Sequence, residues 1–156
     1  MDISITREKP NSEELFSLLK EVDADYAVPL SKKRDLWELS NKLVSRSDVI
    51  SARTREGILA GIVAGYISSA YSDVGYITIV AVRRPYRGRG IASRMMEAFL
   101  AFAKEFEGKI AAVDIYTTKD NAAARSVYLK AGFEVYHSPM EERPEDLHLI
   151  KYLRHE

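Results

Sequence analysis

The sequence predicts an α+β fold, a mixed sheet with helices on both faces, in a single domain over 1–156. Three observations predict it. Apolar residues alternate between period-two and period-3.6 spacing in the order β, α, α, β, β, β, α, β, α, β, β. A strand, a helix and a strand lie between residues 75 and 117, which implies a parallel pair with a right-handed crossover. The other strands follow one another through hairpins and so pair antiparallel.

Each element has a local cause. Ile3 and Ile5 alternate with polar neighbours, as in a strand. Pro10-Asn11-Ser12-Glu13-Glu14 is a helix start with acids in the first turn, and Leu15, Phe16, Leu18, Leu19 and Val22 form its apolar face. A second helix is expected from near Ser31, carrying Leu36, Leu39 and Leu43. From Val49 to Ala70 the text is β-type, interrupted by Glu56-Gly57 as a hairpin turn. The next strand covers 75–82. A helix then runs from about Gly90 to Glu107, where Ile91, Met95, Phe99, Phe102 and Phe106 step along one face. Strand 110–117, helix 121–130 stopped by Gly132, and strands 133–137 and 147–153 complete the expectation.

Composition excludes several function classes. At 46% hydrophobic and 29% charged, the chain matches an ordinary globular domain rather than a disordered one. Lys plus Arg and Asp plus Glu both number 23, so phosphate-driven nucleic-acid binding has no global support. With no cysteine, disulfides, thiolate nucleophiles and cysteine-based zinc sites are absent, and no metal site is expected. No apolar run approaches the ~20 residues that cross a bilayer, and no signal peptide is readable. A cytoplasmic location with no membrane partner is the expectation.

The chemistry concentrates after strand 75–82, in Arg83-Arg84-Pro85-Tyr86-Arg87-Gly88-Arg89-Gly90-Ile91-Ala92. Gly88 and Gly90 permit close backbone approach at a helix start. The first helical N–H groups lack intrahelical partners, and with the helix dipole they suit a phosphate. Arg87 and Arg89 add charge. The dinucleotide pattern fails, because Ser93 takes its third small position and Tyr116 and Thr117 stand where an acid is needed. The P-loop pattern fails for want of Lys-Ser/Thr after the glycines. A second constellation runs from Asp120 to Phe133. Asn121 sits at a strand-to-helix junction, where an N-cap belongs, and Tyr128 follows seven residues on, about 10 Å along the same face.

Together, Arg87-x-x-Gly90-x-Ala92 after Val82 and Asn121-x-x-Ala124-x-x-x-Tyr128-x-x-x-Gly132-Phe133 resemble the GNAT superfamily of acetyl-CoA-dependent N-acetyltransferases. The resemblance is strong over 76–135. It implies that the pyrophosphate of acetyl-CoA lies on Arg87, Gly88, Arg89, Gly90, Ile91 and Ala92, and its pantetheine arm along Val80, Ala81 and Val82. Strands 75–82 and 110–117 splay apart to admit it. The resemblance further implies that Asn121 contacts the arm, and that Tyr128 sits at the sulfur as proton donor to the leaving thiolate. The N–H near Val82 would stabilise developing negative charge.

The implied function is acetyl transfer to a primary amine of a small molecule: an amino sugar, an amino acid derivative or a polyamine. Histone-type relatives carry an acid at the position of Tyr76, and many small-molecule relatives one at that of Tyr116; here both are tyrosine, which disfavours a lysine substrate with a glutamate base. A protein N-terminal or lysine acetyltransferase and a non-catalytic CoA-binding protein are the alternatives. Tyr66, Tyr71, Tyr76 and Tyr116 form either an acceptor wall or core filling. Asp73, Asp114 and Glu134 have no motif placement; His137 and His148 read as packed or solvated strand residues, with service as the base the alternative, and Trp37 reads as packing, with a place on the acceptor side the alternative. The expected partners are acetyl-CoA and the amine, with a homodimer admitted.

Overall fold

The computed structural model describes residues 2–26, 29–119, 121–136 and 146–153. Its seven strands are β1 (Ile3–Thr6), β2 (Asp48–Thr54), β3 (Leu59–Tyr66), β4 (Val74–Val82), β5 (Ala112–Thr118), β6 (Glu134–Val135) and β7 (Asp146–Tyr152). Its α-helices are α1 (Ser12–Val22), α2 (Leu36–Arg46), α3 (Ile91–Lys104) and α4 (Ala122–Lys130). The sheet order is β1-β2-β3-β4-β5-β7-β6, and β4 with β5 is its parallel pair. His137 and Asp120 lie outside the described residues. No helix among the described residues is long and apolar enough to cross a membrane.

Helix α1 starts where its capping signal stands. Asn11 Oδ1 accepts from the Glu14 N–H at 2.8 Å, and Glu14 Oε1 accepts from the Asn11 N–H at 3.0 Å. Glu14 also takes a two-pronged bond from Arg53 of β2, at 2.7 and 2.8 Å, which fixes the start of α1 to the sheet. The expected start of the second helix near Ser31 is corrected. Leu30–Lys32 form one 3₁₀ turn, and α2 begins at Leu36 behind Asp35, whose side chain accepts from the Glu38 N–H. The basic run Lys32-Lys33-Arg34 would oppose the dipole of a helix beginning there, whereas Asp35 is a good N-cap. Helix α3 ends at Lys104 rather than Glu107, giving way to i−3 bonds at Phe106 and Glu107.

Two clusters flank the sheet. Leu15, Leu18 and Leu19 of α1 with Leu39 and Leu43 of α2 cover β2, β3 and β4 from one face. Met95, Met96 and Phe99 of α3 with Tyr128 of α4 cover the other. Strand β4 carries a bulge that changes which of its residues face each cluster. Ala64 pairs with Ile79 but Gly65 with Ile77, leaving Thr78 as the extra residue. Ile77 therefore faces the α3 side and Ile79 the α1 side, although two residues apart on a regular strand would share a face.

The Arg53 guanidinium holds the Glu14 carboxyl below its ordinary 4.5, against an opposing effect of burial. A depressed folded value gives stability that is full above the unfolded value and is lost as pH falls through the folded one. Arg53→Ala should thus reduce urea stability by about 1 kcal/mol at neutral pH. The deficit should close as the solution is acidified below the carboxylate range. A deficit independent of pH would show that Arg53 acts through packing alone.

Candidate functional site

Strands β4 and β5 pair over four positions, from Val74 with Ala112 to Ile77 with Ile115, and then separate. β4 continues to Val82 and β5 to Thr118, so a gap opens toward their C-terminal ends. The β3 register decides what β4 shows to that gap. The Arg83 N–H donates to the Ala60 carbonyl at 2.8 Å, and Gly61 to Ala64 pair with Val82 to Ile79. By antiparallel alternation, Ala81 and Ile79 then bond β3, and Val80 and Val82 turn their N–H and C=O groups into the gap. Two side chains confirm the direction. The Tyr26 hydroxyl donates to the Val80 carbonyl at 3.3 Å, and Arg87 Nε donates to the Val82 carbonyl at 2.9 Å. The carbonyls are used, and among the described residues the two N–H groups have no acceptor. Of the three residues expected to hold the arm, Ala81 does not reach this edge.

The wide end of the gap meets the glycine loop. Gly88 and Gly90 have φ of 77° and 76°, and Gly90 is the N-cap of α3 without a capping side chain. A Cβ at either position would meet nothing within 4 Å, so the left-handed backbone, not crowding, calls for glycine. Among the described residues, the N–H groups of 88–93 have no acceptor, leaving a row of donors at a helix N-terminus.

The two arginines divide. Arg87 is pinned by Asp25, which also reaches Arg84, and the Arg87 bond holds the Asp25 carboxyl below its ordinary value. Arg83 bonds Glu21 and the Leu59 carbonyl, and Glu21 also accepts from the Arg84 N–H. Arg87 therefore braces the loop, while Arg89 is exposed with no ion-pair partner among the described residues.

Asn121 caps α4, its Oδ1 accepting from the Ala124 N–H at 3.1 Å. Tyr128, seven residues later, returns toward the narrow end of the gap and is buried at 7% exposure. Burial, then the Tyr26 hydroxyl nearby, raises its phenol above the ordinary 10.0.

On the α1 side, Tyr76 and Tyr116 stand on neighbouring strands at 42% and 61% exposure. Tyr66 packs on Tyr76 at 5.0 Å between centroids, and Tyr116 stacks on His148 at 4.3 Å. Tyr71 is fully exposed before β4 and is not part of this wall. Trp37 packs edge-on against Phe16, as a packing residue. Sequence reasoning placed neither Tyr26 nor the contact of His148 with Asp114, whose Nε2 and Oδ1 lie 3.1 Å apart at ion-pair distance but off hydrogen-bond alignment. Period-two spacing puts Asp114 beside Tyr116, but only the β5–β7 register brings His148 to both.

Residues 14–133 match the Acetyltransferase (GNAT) family. Over 75 residues the chain is 33% identical to L-2,4-diaminobutyric acid acetyltransferase of Vibrio parahaemolyticus, covering 48% of this chain and 40% of that relative's length. Two solved structures share the fold: the ribosomal-protein-S18-alanine N-acetyltransferase of Escherichia coli (TM-score 0.75, 15% identity, 99% and 96% coverage) and the PaiA N-acetyltransferase of Thermoplasma acidophilum in complex with coenzyme A (0.75, 17%, 97% and 99%).

The positive φ at residue 90 makes any side chain there strained, by about 1–2 kcal/mol. Gly90→Ala carries that strain alone, and Gly90→Asp adds a carboxylate to the anion site. The two variants should lose similar thermal stability, while the aspartate binds acetyl-CoA at least tenfold more weakly than the alanine by calorimetry. Equal affinities would remove this loop from the binding surface.

Proposed function

Because the chain belongs to the Acetyltransferase (GNAT) family, we propose that it transfers the acetyl group of acetyl-CoA to a primary amine of a small molecule. The observation that carries the reading is the bare N–H edge of β4, which leads from the gap to the anion loop at the start of α3. The N–H groups of 88–93 and Arg89 would hold the pyrophosphate, the N–H groups of Val80 and Val82 the pantetheine arm, and the Asn121 amide the same arm from α4. Acetyl-CoA supplies the activated thioester, whose carbonyl carbon takes the amine's electron pair as the carbon–sulfur bond breaks.

The fixed N–H groups of β4 point where negative charge grows on the thioester oxygen, and a preset donor there favours the transition state over the ground state. Tyr128 keeps its proton at neutral pH. Its raised pKa lies above the roughly 8.5 of an ordinary thiol, so complete transfer to a thiolate is uphill. It acts by donating a hydrogen bond to the departing sulfur. On the acceptor side, the exposed hydroxyls of Tyr76 and Tyr116 adjoin solvent that can take the amine's proton, and the Asp114–His148 couple lies beneath Tyr116.

Among small amines, an amino acid derivative fits best. The Vibrio relative is named for a diamino acid. Resemblance to the S18-alanine enzyme is one of fold, so it does not favour a protein acceptor.

A thiol-release assay tests the acceptor class. With acetyl-CoA, L-2,4-diaminobutyrate should give a kcat/KM at least tenfold above 1,3-diaminopropane, which is the same diamine without the carboxylate. Comparable values would return the polyamine class. In the same assay, Tyr128→Phe should lower kcat by up to about 10²-fold with little change in acetyl-CoA affinity. Full kcat with chemistry rate-limiting would leave Tyr128 a packing residue.

A further inference from the structure

Tyr26 follows the 3₁₀ turn Asp23–Asp25 at the end of α1. Its ring packs with the cluster on the α1 side of the sheet, and its hydroxyl reaches the Val80 carbonyl in the gap. Tyr128 belongs to the cluster on the opposite face. The two hydroxyls are nevertheless close enough to influence each other. At the level of Val80, β5 has already left β4.

The placement is braced. Asp25, the preceding residue, is tied to Arg84 and Arg87 of the anion loop, and Glu21 one turn earlier to Arg83. Burial pushes the Tyr26 phenol up to about 12, so it stays a neutral donor. Tyr26 is therefore a fixed, uncharged side chain whose hydroxyl stands at Val80, three residues beyond the last β4–β5 pair, with its ring behind it on the α1 side.

Direction follows from the gap. A donor anchored by its phosphates at 88–93 runs back along β4, and its acyl end points to where the strands rejoin. We propose that Tyr26 sets the acyl length the enzyme accepts: its ring occupies the space beside Val80 into which a chain longer than acetyl would extend. The proposal rests on the acetyltransferase reading and adds a specificity residue to it. A fitted apolar pocket discriminates one methylene by roughly 10–200-fold, so a butyryl chain, two methylenes longer, gives a readable difference.

The test is calorimetric binding of CoA, acetyl-CoA and butyryl-CoA to the full chain and to Tyr26→Phe, Tyr26→Leu and Tyr26→Ala, which needs no acceptor. Wild type should bind butyryl-CoA at least tenfold more weakly than acetyl-CoA. Tyr26→Phe should keep that ratio, because the ring remains. Tyr26→Ala should bring it within threefold of unity, with Tyr26→Leu intermediate; the leucine variant keeps apolar packing and decides the matter if the alanine variant does not fold. A wild-type ratio near one, or a wild-type ratio retained by a natively folded leucine or alanine variant, overturns the assignment of Tyr26 while CoA binding upholds the family reading. Failure of wild type to bind any of the three ligands overturns both.

Discussion

The functional end of the molecule depends on one backbone edge, the stretch of β4 that β5 abandons beyond Ile77 and Ile115. Buried N–H and C=O groups without partners are costly, so an uncovered edge within a sheet must be satisfied by something else. The chain answers half of the demand itself, through the Tyr26 hydroxyl on Val80 and the Arg87 guanidinium on Val82. Both answers go to carbonyls. The edge is left with donors facing outward, which suits an extended amide-containing ligand lying beside it as an added strand. The bulge at Thr78 belongs to the same device. It comes one residue after the strands part and turns the apolar side chains of Val80 and Val82 toward the α3 cluster.

Charge is arranged on the same principle of local supply. The chain has no net charge, yet four arginines occur between residues 83 and 89. Three of them meet Glu21 or Asp25 from the end of α1. Most of this positive charge is spent on attaching helix to loop, and in the proposed site it is the backbone donors of the α3 N-terminus, with Arg89, that would meet an anion. An arginine beside a glycine pair in sequence is therefore not by itself a phosphate ligand.

The sequence revealed those features whose causes are local. The helix start at Pro10-Asn11-Ser12-Glu13-Glu14, the turn at Glu56-Gly57, the apolar face of α3 and the crossover from β4 to β5 have such causes, and the structure contains each. The glycine loop, Asn121 and Tyr128 were visible for the same reason. Apolar spacing alone extends α2 back toward Ser31, whereas the basic run before Asp35 and the Asp35 cap set its start at Leu36. Tyr26, the pinning of Arg87 and the stacking of His148 on Tyr116 depend on partners about 30 to 60 residues away. Register across β5 and β7 decides the last of these, and no periodicity in one strand reports the register of another.

The short β4–β5 ladder also divides the molecule in its folding. β1 to β4 form antiparallel neighbours, with β2, β3 and β4 joined by short connections, so their closure entropy is small. β5, β7 and β6 form a second antiparallel group, and four residue pairs join the two groups within the sheet. That seam is parallel and spans the crossover through α3, whereas the pairings within each group are antiparallel. Helix α3 contacts β1 to β4 and shares its apolar cluster with Val113 and Ile115 of β5, so it packs across the seam. The sheet is thus two antiparallel groups joined by a four-pair parallel ladder, and the line where they join runs directly into the cleft.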